Sequence, residues 1–300
     1  MSDLGLLLYS LGLEFLFQPE GILVTQRKYI QDMLTKFGLD QCKPASTPML
    51  EKLKLVPEMN APPVDVTHYQ RLVGKLIFLT HTRIDIAYAV SVVSRFMQCP
   101  QEPHLQAVKH LYRYLRGTID FALHYRRGEG SELQGFTDAD WAADAHDRKS
   151  TTGFVFFLGS TPITWNSRKQ PTVALSSTES EYMALTERTK EAVWLRCLLG
   201  EIHALNRKTP TTIHGDNQGS LNLAHNPIYH GRTKHIEVRH HFIMEKIQSG
   251  EINLEFTPTI DQLADILTKA LGRTAFERFR DQLGLVQIEK TLRHSACIKP

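Results

Sequence analysis

Beyond Gly128-Glu129-Gly130 the 300-residue chain runs strand, strand, strand, helix, strand, helices, strand, helix, and few architectures accommodate that order. Leu133–Asp138 reads as a short strand. Gly153–Leu158 and Pro162–Trp165 read as a hairpin across Gly159-Ser160. A long helix follows over about 178–199, then a strand at 211–215, a short helix after Asp216 and a His-rich helix over about 234–248. A strand at 252–256 and a helix starting near Ile260 complete the set. Two hairpin-linked strands followed by alternating helices and strands suit a mixed sheet with helices on its faces.

The first part reads differently. Leu6–Phe17 turns at Pro19-Glu20-Gly21 and returns through Ile22–Thr25, a hairpin. A helix carrying Tyr29, Ile30, Met33, Leu34 and Phe37 stops at Gly38, and a Pro-rich connector spans 42–66. Helical patterns over 67–80, 85–97 and 103–116 make this a small, mainly helical region without evident chemistry. The expected division is 1–130, 131–272 and a C-terminal helix and tail at 273–300.

Four scattered cysteines without a CxxC pair fit reduced thiols better than disulfides or a zinc cluster. The apolar run at 4–17 is broken by Ser10 and Glu14 and is too short to span a bilayer. The expectation is a soluble intracellular chain of cytoplasm or nucleus, with no membrane partner. The net charge of +3 lies wholly in residues 1–130, too weak an excess to name a nucleic-acid partner.

The acids carry more information. Asp138 and Asp140 sit at the end of the first strand, Glu179 and Glu181 at the start of the long helix, Asp216 at a strand end and Asp265 on the last helix. Their flanks are apolar or small rather than charged. Hard divalent cations take oxygen ligands, and a pair of ions held by several carboxylates can activate water against a phosphodiester. Taken singly, each acid has an ordinary explanation: Thr178 with Glu181 fits a capping box, Asp216 a turn, and Asp265 a solvated helix face. Their joint order along one fold is what points to a site.

That order, carried by TDA (137–139), ESEYMAL (179–185), GDN (215–217) and QLADILTK (262–269), resembles type 1 ribonuclease H. The blocks DRKSTTGFVFFLG (147–159), ITWNSRKQPTVALSSTESEYMAL (163–185) and TKHIEVRHHFI (233–243) resemble the form found in copia-type (Ty1/copia) retrotransposon Pol polyproteins. GILVTQRKYIQDMLTKFG (21–38), CKPASTPM (42–49) and YQRLVGKLIFLTHTRIDIAYAVSVVSRFM (69–97) resemble the C-terminal part of the reverse transcriptase of that group, so the likeness covers about 1–285.

The resemblance implies an α/β fold: a ribonuclease H-like mixed five-stranded sheet flanked by helices, after a mainly helical region like a reverse-transcriptase thumb or connection. It implies a hydrolase that cuts the RNA strand of an RNA–DNA hybrid with two Mg²⁺ ions, Mn²⁺ being a substitute. It assigns Asp138, Glu181, Asp216 and Asp265 as metal-binding catalytic carboxylates. Asp138 and Asp216 would span the metal pair, Glu181 would bind one ion and Asp265 would complete the second. Asp140 and Glu179 are the alternatives, since strand alternation keeps Asp140 on the face of Asp138.

Arg148, Lys149, Arg168 and Lys169 on loops flanking the acids are candidates for phosphate neutralisation. Ser150, Thr151, Ser167, Asn217 and Gln218 are candidates for hydrogen bonds to backbone or ribose oxygens. Cellular ribonucleases H carry a Gly-His loop before the last aspartate, and Phe256-Thr257-Pro258-Thr259-Ile260 here has no histidine. His235, His240 or His241 on the preceding helix could supply one. The Tyr-x-Asp-Asp polymerase motif is absent, so the chain is not expected to polymerise DNA by itself, and the missing polymerase part of the polyprotein is an expected partner. The competing expectations are an idle transposon remnant that binds nucleic acid without cleaving it, and a strand-transferring nuclease of the same broad fold.

Overall fold

The computed structural model describes residues 5–128, 130–206, 208–225 and 234–288, and of 234–240 the backbone alone. The chain divides into two compact units, one drawn from Met1–Gly128 with Ala270–Pro300, the other from Glu129–Lys269.

In the first unit, β1 (Tyr9–Ser10), β2 (Leu13–Gln18) and β3 (Gly21–Thr25) form an antiparallel meander, with β2 and β3 joined at the turn that the sequence marks. Gly21, at φ +152°, lies against the Tyr125 carbonyl, where no side chain fits. Helices α1 (Arg27–Lys36), α2 (Val66–Leu79), α3 (Ala87–Val93) and α4 (Glu102–Gly117) bury Ile30, Leu34, Leu72, Leu76, Val108 and Leu111. Arg83 and Asp85 are paired at 2.7 Å with essentially no solvent contact. Tyr114 donates to Asp85, and the guanidinium also reaches the carbonyl and hydroxyl of Thr118. Every polar group of this buried pair is thereby satisfied, without which two desolvated charges would be destabilising. Strand β4 (Phe121–Arg126) then pairs with β3. The sequence reading missed β4, because Phe121-Ala-Leu-His-Tyr-Arg is buried on both faces at first and shows no alternation.

The second unit is a five-stranded sheet in the order β7-β6-β5-β8-β9. The antiparallel strands β5 (Leu133–Asp140), β6 (Thr151–Leu158) and β7 (Thr161–Lys169) continue into parallel β8 (Thr211–Gly215) and β9 (Ile252–Phe256). Helix α5 (Ser177–Glu201) packs on β5, β6 and β8, and α6 (Gln218–His225) and α7 (Lys234–Gln248) pack beside it. Phe154, Phe156, Tyr182, Leu185, Leu195, Ile213, Leu221 and Leu254 form the core between sheet and helices. Arg196 ties the far end of α5 to the sheet, donating to the Thr209 carbonyl at 2.7 Å and to Thr211 Oγ1 at 3.1 Å.

One expectation needs correction. The segment from Ile260 is not an α-helix: two 3₁₀ turns, Thr259–Asp261 and Leu263–Leu267, flank an extended Gln262 (φ −73°, ψ 96°). Gln262 is fully buried; its amide donates to the Thr137 carbonyl at 3.0 Å and accepts from the Ala264 N–H, which pins the segment to β5 instead of letting a helix propagate. The expected C-terminal helix is present, and residues 270–288 pack with the first unit. Helix α8 (Arg273–Gln282) and β10 (Leu285–Gln287) belong to the first unit, where β10 pairs with β4 and completes the sheet β1-β2-β3-β4-β10.

The Leu263–Leu267 turn lies directly on Gly153 of β6. A Cβ there would stand 2.7 Å from Leu267 Cβ and 2.9 Å from its backbone carbon. Gly153→Ala is expected to destabilise the unit by about 1–3 kcal/mol through overpacking. Gly215→Ala, whose nearest neighbour would be a Leu221 methyl at 3.7 Å, should fall within about 0.5 kcal/mol of the parent. Urea denaturation of the two variants checks the difference.

Candidate active site

The carboxylates converge where β5 ends. Oxygen atoms of Asp138, Glu181 and Asp216 lie within 4.8 Å of one another. Each is delivered by a different element: Asp138 by the central strand β5, Glu181 by the first turns of α5, and Asp216 by the end of β8, which neighbours β5. Asp265, from the 3₁₀ turn, is close enough to hydrogen-bond Asp138. Asp138 is the hub of this group. It takes a hydrogen bond from the buried Thr268 hydroxyl and lies in hydrogen-bond contact with both Glu181 and Asp265.

Crowding acids in a shielded place shifts their protonation. Burial, then the charges of Asp138 and Asp216, push Glu181 up to about 10, against a smaller lowering by the Ala139 N–H that it accepts from. Burial and Asp138 push Asp265 up to about 7, against the opposing pull of Lys269. Burial raises Asp216 as well, while the Thr259 hydroxyl, donating at 2.7 Å, pulls the other way. Lys269 is the cation of the site: its Nζ lies 2.9 Å from Asp265 Oδ1, and the charges of Asp138, Asp265 and Asp140 all favour its ammonium form. A cluster of hard oxygen donors held this close, with burial and mutual charge favouring the protonated form of Glu181 and Asp265, is chemically suited to divalent cations such as Mg²⁺ or Mn²⁺.

The two near neighbours separate cleanly. Glu179 is half-buried and turned to the cap; its carboxylate accepts from the Leu175 N–H at 2.7 Å, and its own N–H donates to Ser176 Oγ at 3.1 Å. The helix cap is thus Ser176 with Glu179, not Thr178 with Glu181, and the buried Glu181 is left to the cluster. Asp140 is half-buried on the face of Asp138, raised by its burial, and stands outside the three-carboxylate group.

The flanking residues sort by exposure. Arg148 and Arg168 are exposed and Lys149 is half-buried. Lys169 is committed to Asp144 at 2.7 Å and Asp147 at 2.8 Å. Ser150 has no solvent contact, and its hydroxyl accepts from the Ala142 N–H. These two therefore shape the loop rather than face a ligand, contrary to expectation. Asn217 caps α6, its Oδ1 accepting from the Ser220 N–H at 2.8 Å, and Gln218 is exposed beside it. The side chains of His235 and His240 lie outside the described residues. His241 is exposed.

The sequence reading overlooked Thr259, Gln262, Thr268 and Lys269. For Lys269 a signal was present, since it follows Asp265 by four residues.

The chain is 41% identical over 280 residues to the retrovirus-related Pol polyprotein from transposon RE1 of Arabidopsis thaliana, covering 93% of this chain and 19% of the relative. It is 39% identical over 294 residues to that from transposon TNT 1-94 of Nicotiana tabacum, covering 95% and 22%. The chain belongs to the Pol polyproteins of copia-type retrotransposons. It spans about a fifth of the length of these relatives. Among solved structures, the N-terminal RNase H domain of rv2228c from Mycobacterium tuberculosis aligns with 51% of this Pol chain and 98% of its own, at 15% identity and a TM-score of 0.35. No protein-family model matches. Among the described residues, no helix is long and apolar enough to cross a membrane.

Acids that retain protons when folded but lose them when unfolded make stability fall with pH. Glu181 ordinarily titrates near 4.5 and in the fold near 10, so the folded state binds the extra proton between those values. Its contribution is complete below about 4.5 and is lost progressively as pH rises toward 10; Asp265 and Asp216 act in the same direction. Without divalent cation, the melting temperature should fall between pH 5 and pH 8. Glu181→Gln should flatten that slope and raise the pH 8 midpoint by about 2–8 °C. Thermal melts in chelator check both.

Proposed function

We propose that residues 130–269 of this Pol chain form an endonuclease that hydrolyses the RNA strand of an RNA–DNA hybrid, leaving 5′-phosphate and 3′-hydroxyl ends. The observation that carries the reading is the convergence of Asp138, Glu181 and Asp216 within 4.8 Å, with Asp265 against Asp138, in the element order that the motifs share with ribonuclease H. In this reading Asp138, Glu181, Asp216 and Asp265 hold two Mg²⁺ ions. The ions, when bound, would lower the pKa of a water and neutralise charge on the phosphate under attack.

The chain's own residues prepare that site. Lys269 holds Asp265, Thr259 holds Asp216, and the Ala139 amide together with the first turns of α5 holds Glu181. Fixing carboxylates from outside in this way keeps their oxygens oriented toward one point. Arg148 and Arg168, exposed on the loop after β5 and on edge strand β7, supply positive charge for the phosphates of the nucleic acid. Asn217 and Gln218, beside Asp216, offer amides to sugar oxygens, and a contact to the 2′-hydroxyl is what would distinguish RNA from DNA. Lys149 adds charge at the foot of the same loop. The rest of the Pol polyprotein is the natural partner of this unit.

Incubation of the chain with a labelled hybrid, duplex DNA and duplex RNA in Mg²⁺ tests the reading. Cleavage of the hybrid alone is expected, abolished by chelator and restored by Mg²⁺ or Mn²⁺. Asp216→Asn should lower the rate by about a hundred-fold or more, and Thr259→Ala, which removes only its hydrogen bond, by about ten-fold. An Asp216→Asn chain that cuts as well as the parent would overturn the mechanism, and an inert parent would leave a nucleic-acid-binding remnant.

A further inference from the structure

Trp141 takes no part in the carboxylate cluster, yet it is the residue that follows β5 and Asp140. It remains 46% exposed at the end of the central strand. Its position is not free. The indole N–H donates to the Ala174 carbonyl at 3.0 Å, and Ala174 is buried two residues before the Ser176 cap of α5. The ring therefore bridges the approach to the two elements that deliver Asp138 and Glu181. Its one polar atom is satisfied inward, and apolar ring surface faces out.

The loop behind it is built to hold still. Ala142 takes a left-handed conformation (φ +52°), strained for a residue with a side chain, and the buried Ser150 hydroxyl accepts its N–H. Asp144 accepts from the amides of His146 and Asp147, and its backbone exchanges hydrogen bonds with Arg148 and Lys149. Lys169 reaches across from β7 to bind Asp144 and Asp147 together. Strain retained and cross-braced beside a cluster of reactive groups is the expected mark of a surface that contacts a ligand.

We propose that Trp141 is a substrate-positioning residue: its exposed ring packs against sugars of the nucleic acid beside the carboxylate cluster, held in place by the Lys169–Asp144–Asp147 clamp. This rests on the hybrid-nuclease reading given above. A hybrid presents a wide, shallow minor groove lined by sugars, and a flat apolar ring fits such a surface without regard to sequence. The contact would set where the strand lies relative to the acids, while Arg148 on the same loop meets phosphate charge.

Steady-state cleavage of a hybrid by the full chain and its Trp141→Ala and Trp141→Phe variants tests this. Trp141→Ala should raise KM by about ten-fold, with kcat within about two-fold of the parent. Trp141→Phe, which keeps an apolar ring and loses the indole N–H, should restore most of KM. Binding is read separately by tryptophan emission in an Asp216→Asn background: a hybrid should change it, and the change should vanish in Trp141→Phe although Trp165 and Trp194 remain. A parent that cuts the hybrid while Trp141→Ala matches it in KM overturns the proposal and leaves the nuclease reading intact. Alanine and phenylalanine variants that lose kcat equally, with the emission change unaltered, also overturn it, since the ring would then serve only to fasten the loop. A parent that does not cut or bind a hybrid defeats the nuclease reading itself.

Discussion

Mutual repulsion among Asp138, Glu181, Asp216 and Asp265 is the constraint around which the second unit is organised. Four acids so close would separate if the backbone allowed it, and three features of the fold prevent that. The parallel pairing of β5 and β8 fixes where Asp138 and Asp216 emerge. The cap at Ser176 starts α5 where its second turn carries Glu181 to the end of β5. The extended Gln262, clamped to the Thr137 carbonyl, sets the 3₁₀ turn that carries Asp265. What remains of the repulsion is absorbed by protons on Glu181 and Asp265 and by the Lys269 ammonium. A fold that stores unfavourable charge in this way is stabilised by whatever brings compensating charge, so cation binding and stability are linked.

The close packing that makes the cluster also explains its surroundings. β6 can pass beneath the Leu263–Leu267 turn only because Gly153 has no side chain. Thr268 and Gln262, both without solvent exposure, spend their hydrogen bonds on Asp138 and on β5 rather than on water. A polar network of this kind fixes geometry only when every member is paired. The loop between β5 and β6 shows the same economy. Burial opposes ionisation of Asp144, but the hydrogen bonds from Lys169 and from the amides of His146 and Asp147 hold its carboxyl at about 2, so Asp144 stays charged through the neutral range.

Legibility in the sequence followed the range of the interaction concerned. Local patterns placed β5 to β9 and α5 to α7 within a few residues, because alternation, helical periodicity and the Gly159-Ser160 turn are encoded by near neighbours. The acids were findable from their positions at element ends, and the motif resemblance ordered them. What the letters concealed was long-range. Strand β4 is buried on both faces, and its partner β10 arrives from about 160 residues downstream. The break at Gln262 depends on a carbonyl in β5, 125 residues earlier, so a local helical pattern was the wrong guide there. Lys169 and Ser150 looked like ligand contacts because their sequence neighbourhoods read as loops near the acids; only the fold shows that Asp144, Asp147 and the Ala142 amide already occupy them.

The central claim is that these acids form a cation-binding pocket in which charge is held back by retained protons. Calorimetric titration of the chain with Mg²⁺ or Mn²⁺ at pH 7, repeated in buffers of different ionisation enthalpy, counts the protons displaced. Saturable binding with net proton release, abolished in Asp138→Asn, is the predicted result. Binding that displaces no proton, or that persists undiminished in that variant, would contradict the account.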